Sequence, residues 1–147
     1  MNLITVGKLK DKNLEAIEFD YLKRINQPSL KIIEVKASAE SKDQEALNVL
    51  RKIESVSKNP YIVVLTEFGK EFESPAFAQF HTEKLESPQD IFYVICGAEG
   101  PGDELLKACH FKLSLGKLTM PHKLARVILV EQLYRAQTIR VGHPYHN

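Results

Sequence analysis

Apolar and polar positions alternate in blocks along the chain. Residues 2–6 (NLITV) form a short apolar run with β-branched side chains, which predicts a strand. From 13 to 25, Leu14, Ile17, Tyr21, Leu22 and Ile25 recur at helical spacing, predicting an amphipathic helix that Pro28 closes. A second strand is predicted at 30–36 (LKIIEVK), then a polar helix over roughly 40–57 with Leu47, Leu50 and Ile53 as its apolar edge. Asn59 and Pro60 break that helix. The runs 61–66 (YIVVLT) and 91–96 (IFYVIC) are almost wholly apolar, as expected for strands covered on both faces of a parallel sheet. Between them, Ser74 and Pro75 predict a helix start, with the serine as cap and the proline in the first position. A glycine-rich turn at 96–102 (CGAEGPG) leads to a short helix near 103–109. Residues 111–116 (FKLSLG) predict a fifth strand, and a helix from about 121 to 138 follows, its start marked by Thr119 and Pro121.

Strands alternating with helices predict one α/β domain over 1–147, a mainly parallel sheet flanked by helices, with strands three and four at its centre. Ligands bind such sheets beyond the C-terminal strand ends, so the loops after Leu65, Cys96 and Leu115 share one candidate rim. The last helix is apolar nearly all round, where a surface helix shows only a stripe. Either its own domain encloses it or a second subunit covers one face. A domain of this size seldom encloses a helix, which favours a homodimer.

Composition adds less. The chain of 147 residues is 44% hydrophobic and 27% charged, as in an ordinary globular domain. No run of about 18 apolar residues exists and no leader pattern opens the chain, so a cytoplasmic protein off the membrane is expected. Cys96 and Cys109 are then reduced thiols filling the core. The net charge of +1 conceals an asymmetry. Residues 1–106 carry 13 Lys and Arg against 18 acids; residues 107–147 carry 7 against one, Glu131, together with four of the five histidines. The basic part either meets an anionic partner or packs near acidic helices.

Several chemistries lack their motifs. The glycine turn is not G-x-G-x-x-G and follows the fourth strand, no P-loop or G-x-S-x-G elbow occurs, and no His, Cys or acid cluster has metal-ligand spacing. The glycines are a ligand-approaching turn or a plain tight turn. The segment 142–147 (GHPYHN) is more suggestive. Pro144 stiffens it, Gly142 permits a sharp turn, and His143, Tyr145 and His146 can stack on a base, donate hydrogen bonds or exchange protons near neutral pH.

One stretch is distinctive. LSLGKLTMPHKLARVILVEQLYRAQTIRVGHPYH (113–146) resembles the C-terminal signature of the ribosomal RNA large subunit methyltransferase H family, among the SPOUT methyltransferases. LITVGKLKDKNLEAIEFDYLKRI (3–25), YIVVLTEFGKEFESPAFA (61–78) and ICGAEGPGDEL (95–105) resemble the same family. The resemblance implies a SPOUT-type fold with a C-terminal trefoil knot and S-adenosylmethionine as cofactor. By motif, Leu65, Cys96, Gly97, Gly100, Leu115, Gly116, Lys117, Leu118, Thr119 and Met120 would hold that cofactor. His143, Tyr145, His146 and Arg135 would serve catalysis, and Arg135, Arg140 and Lys117 would meet phosphates. The implied reaction is methylation of N3 of a pseudouridine in large-subunit ribosomal RNA within the assembled ribosome, by a homodimer without metal. A transfer-RNA enzyme of the same superfamily and a non-catalytic ribosome-binding protein are the competing readings. The chain has Cys96-Gly97 where the family usually has two glycines.

Overall fold

The structure, a computed structural model, describes residues 1–38 and 41–146. Five strands, β1 (Asn2–Val6), β2 (Lys31–Val35), β3 (Pro60–Lys70), β4 (Asp90–Ile95) and β5 (Phe111–Leu113), form one sheet in the order β2-β1-β4-β3-β5. Every pairing is parallel. The centre is therefore β4, with β1 and β3 beside it. The apolar run of β3 does not take the middle, because β1 reaches β4 from the other side.

Alternation along the strands sends side chains to two cores. Leu3, Val63, Ile91, Tyr93, Ile95 and Leu113 face one; Ile4, Val6, Ile33, Ile62, Val64, Phe92 and Val94 face the other. The first core is closed by α1 (Lys12–Leu22), α3 (Ser74–Glu86) and α5 (His122–Arg140). The second is closed by α2 (Lys42–Val56) and α4 (Asp103–Ala108).

Local chemistry sets the ends. Asp11 caps α1 by accepting the Asn13 and Leu14 amides at 3.0 and 3.1 Å, and Ser41 caps α2 by accepting the Gln44 amide at 3.2 Å. The expected start of α2 at residue 40 lies outside the described residues. In α3 the cap position is Glu73, not Ser74; the serine has moved inside and its hydroxyl donates to Gln132 Oε1 of α5 at 2.9 Å. Nor does Thr119 cap α5. Pro121 occupies that position, and the Thr119 hydroxyl donates to Glu67. β5 ends three residues early because Ser114 turns the chain, its hydroxyl accepting the Gly116 amide at 3.1 Å.

Two apolar edges differ from expectation. Ile17 and Leu47 are exposed, while Glu18 and Ala46 occupy the inward positions. Glu18 is carried inward by an ion pair. Arg126 of α5 grips it through Nε at 2.6 Å and a second nitrogen at 2.8 Å, and also donates to Glu34 Oε1 at 2.9 Å and the Thr5 hydroxyl at 3.2 Å. Periodicity scores a glutamate as solvent-facing, so Glu18 was missed and Ile17 misassigned, while Tyr21, Leu22 and Ile25 pack on the first core as expected.

The long helix is covered mainly by its own chain. Val127, Leu129, Val130, Leu133, Tyr134 and Ala136 are buried against β4, α1 and α3. The uncovered apolar remainder is a strip containing Leu124 and Ile128.

Candidate functional site

The C-terminal ends of the strands open onto a cavity of about 790 Å³. Three chain segments form most of its wall: the C-terminal arm of β3 (Leu65 to Phe68), which stays in strand to Lys70 where a loop after Leu65 was expected, the turn after β4 (Cys96 to Pro101), and the loop from Leu115 into α5; Lys42 of α2 and Leu106 of α4 add to it. Nine of the ten residues expected at a cofactor meet here: Leu65, Cys96, Gly97, Gly100, Leu115, Gly116, Leu118, Thr119 and Met120. Lys117 does not; it is exposed outside the lining.

The walls have a definite chemistry. Leu65, Leu106, Leu115, Leu118 and Met120 offer apolar faces, and Gly100, at φ 75°, turns the chain so that its amide meets the Gly97 carbonyl at 3.1 Å. The charged lining residues are Lys42, Glu67 and Glu99, with His122 at the start of α5. The Thr119 hydroxyl donates to Glu67 Oε2 at 2.9 Å, joining the β3 arm to the loop before α5. Lys42, Thr66, Glu67, Phe68, Ala98, Glu99, Pro101 and His122 were not anticipated; Thr66, Glu67, Phe68, Ala98, Glu99 and Pro101 share the expected rim segments and His122 opens α5 beside them, whereas nothing in the sequence pattern marked Lys42 of α2.

Cys96 belongs to both the cavity wall and the second core. Burial, with the Glu45 carboxylate adding to it, pushes its thiol up to about 12. It is therefore a neutral filler rather than a nucleophile. Cys109, half-buried, is also raised by burial, and both thiols are free.

The expected catalytic residues gather elsewhere, at the far end of α5. Tyr145 sits edge-on to Tyr134 with ring centroids 4.8 Å apart, and the Arg135 guanidinium lies 4.8 Å over its ring. Its hydroxyl donates to Glu131 Oε1 at 3.0 Å and lies 3.3 Å from the Tyr21 hydroxyl. Arg135 donates to the same Glu131 oxygen at 2.8 and 3.1 Å and approaches His146 Nδ1 at 3.4 Å. His143 is exposed, its Nδ1 accepting the Tyr145 amide at 3.2 Å. Partial burial, Tyr21 and Glu131 together raise the Tyr145 pKa well above that of a free phenol, so this group is held as a proton donor. Glu131 was missed by motif reading, although it is the single acid of the basic C-terminal part and stands one turn before Arg135. Arg140 faces away, donating to the Gln27 carbonyl at 2.8 Å.

Cavity and cluster do not meet within one chain. Ala125 lines the cavity and Arg135 stands ten residues on, about 15 Å along the helix at 1.5 Å per residue.

Residues 1–146 match the family described as "Predicted SPOUT methyltransferase". The chain belongs to this family. This SPOUT methyltransferase is 42% identical over 146 residues to the ribosomal RNA large subunit methyltransferase H of Prochlorococcus marinus (strain NATL1A), covering 98% of this chain and 93% of that one. It is 37% identical over 156 residues to the protein of the same name from Enterococcus faecalis (strain ATCC 700802 / V583), covering 99% and 98%. At these identities it belongs to the large subunit methyltransferase H group as well. Its fold is that of a probable methylase family protein from Haemophilus influenzae Rd KW20, with a TM-score of 0.60 at 12% identity over 99% of this chain and 70% of that one. Among the described residues no helix is long and apolar enough to cross a membrane, and no group of three or more His, Cys, Asp or Glu could hold a metal.

Proposed function

We propose that this protein transfers a methyl group from S-adenosylmethionine to N3 of a pseudouridine in large-subunit ribosomal RNA, acting on the assembled ribosome as a homodimer. The observation that carries the cofactor is the cavity itself. Its volume of about 790 Å³ is in the range of small-molecule sites. Its apolar walls suit an adenine ring, and backbone groups of the 96–100 and 115–120 loops can read the ring's edge. Two carboxylates, Glu67 and Glu99, suit a ligand with cationic centres and disfavour one bearing phosphates. The bound cofactor supplies an activated methyl group, so the transfer itself requires no metal.

The acceptor nitrogen must lose its proton for transfer to occur. His143 and His146 are the groups that can take it or hold the base. Tyr145, kept protonated, donates a hydrogen bond or stacks, and Arg135 offers charge to the backbone of the RNA. None of these reaches the cavity of its own chain, which is the argument for two copies. Leu124, Ile128, Glu131 and Arg135 follow one another at i, i+4, i+7 and i+11, a single stripe along α5 from cavity to cluster. A second copy laid antiparallel on this stripe covers Leu124 and Ile128 and carries one tail to the other subunit's cavity.

The proposal includes the trefoil knot. What supports it is a close approach of β5 to the arm of β3 behind the cavity wall. A Cβ on Gly69 would lie 2.5 Å from the Leu113 carbonyl carbon, and the Ser114 amide donates to the Lys70 carbonyl at 3.0 Å. The C-terminal segment thus passes hard against the β3 arm before entering α5.

Methyl transfer from labelled S-adenosylmethionine to whole ribosomes, free large subunits and bulk transfer RNA, all from cells lacking this gene, tests the reading. Label on a pseudouridine of large-subunit RNA in whole ribosomes is expected. Label in transfer RNA alone overturns the substrate, and no label in any of the three overturns the reaction.

A further inference from the structure

By sequence, residues 1–106 are net acidic and look unsuited to an anionic partner. The fold reverses this locally. All strands are parallel, so the connections leaving β1 and β2 emerge on the same rim as the cavity. The first carries Lys8 and Lys10 and leads into α1 at Lys12; the second carries Lys36. The Gly7 amide donates to the Val35 carbonyl at 2.8 Å, which sets Lys8 beside Lys36. Gly7, Lys8 and Leu9 also share a small cleft with His122 and Lys123, and His122 lines the main cavity as well. The lysine-bearing loop therefore borders the cavity directly.

The charges on this rim are unequal in their engagement. Asp11 is occupied as the α1 cap, Glu34 by Arg126, and Glu67 by Thr119, which leaves Glu99, exposed on the turn after β4, as the rim acid facing solvent. Lys8, Lys10, Lys12 and Lys36 are exposed, and none has a carboxylate partner among the described residues. Two local rules are broken to hold them there. Lys12 stands in the first turn of α1, where the helix dipole disfavours a cation. Lys10 is the one residue besides glycine with positive φ among the described residues, at 47°. Such local conflicts concentrate at functional positions.

We infer that Lys8, Lys10, Lys12 and Lys36 form a phosphate-binding rail for RNA beside the cofactor cavity. Resting on the proposed substrate, the rail extends the RNA contact surface from the C-terminal part to the first loop. The only apolar side chain of the β1 loop, Leu9, is buried, so the rail presents charge without an apolar anchor. That suits a phosphate backbone and not a membrane, which an apolar face would enter. Ammonium groups on flexible stems bind phosphates without reading sequence, and so set the depth and direction of the RNA.

The test compares two triple variants of the full-length protein with the wild type: Lys8→Gln/Lys10→Gln/Lys36→Gln on the rim, and Lys31→Gln/Lys52→Gln/Lys58→Gln away from it. The readouts are S-adenosylmethionine affinity, co-sedimentation with ribosomes across a salt series, and KM and kcat for ribosome methylation. The rim variant is expected to keep cofactor affinity and kcat within about twofold while KM rises at least tenfold, and its salt slope becomes shallower by about 2. The distal variant should match the wild type. Equal KM and equal salt slopes for both variants would overturn the rail and leave the substrate intact. A wild type that binds ribosomes through the rim but leaves ribosomal RNA unlabelled would overturn the substrate and keep the rail. Wild type that neither binds nor methylates would overturn both.

Discussion

The two ends of α5 do different work with different materials. The His122 end closes a cavity built from loop backbone, glycines and apolar side chains, with its position dictated by where parallel strands stop. The Arg140 end carries a side-chain network in which Glu131, Arg135, Tyr145 and Tyr21 meet within hydrogen-bond or ring-contact distance. The cavity is thus fixed by topology, while the side-chain cluster is fixed by helical spacing and one terminal turn. A topological site tolerates side-chain change and fails when backbone moves. A side-chain site fails one group at a time.

The sharpest way to break the first end is through its buried anchor. Arg126→Met strands Glu18 and Glu34, and the loss of unfolding free energy in denaturant melts should be about 3–5 kcal/mol. The helix packed beside α5 offers a test through acid. His81, buried in α3 with Nδ1 2.8 Å from the Tyr93 hydroxyl, is pushed down to about 4 by burial. Between about 6.5 and 4 the unfolded chain binds a proton that the folded chain refuses, so stability falls as pH drops through that window and is unaffected above it. The full loss is about 3 kcal/mol, at 1.36 kcal/mol per pKa unit, and His81→Gln should flatten this part of the pH–stability curve. Behind the cavity wall, Gly69→Ala forces a Cβ onto the backbone of Leu113, a lining residue, and calorimetric titration should show S-adenosylmethionine affinity reduced at least tenfold with tail contacts unchanged. The other end should respond in smaller, separable steps. His143→Ala/His146→Ala should lower single-turnover methylation at least tenfold with cofactor affinity unchanged. Tyr145→Phe removes one hydrogen bond to Glu131 and should cost about 1 kcal/mol of stability.

The same contrast explains what could be read from sequence. Strand positions and rim loops were legible because parallel β/α alternation leaves a plain periodic record, and nine cavity residues followed from it with the family motif. The tail residues were legible by type, but motif order does not state distance; the straight run of α5, about 15 Å over ten residues, is what sets them apart from their own chain's cavity. Glu18 and Arg126 were illegible because a buried ion pair looks like two surface residues. The lysines of the first loop were hidden by net charge, a sum that ignores which strand end each residue leaves.

The central claim is that one catalytic site draws its cavity and its tail from different copies. Subunit complementation tests it most directly. Gly69→Ala chains, impaired in the cavity, are co-expressed with His143→Ala/His146→Ala chains, impaired in the tail, and ribosome methylation by the mixture is measured. Random pairing makes half the dimers mixed, each with one intact composite site, so activity should recover to about a quarter of wild type. A mixture no more active than its two parents would contradict the claim and return each tail to its own chain.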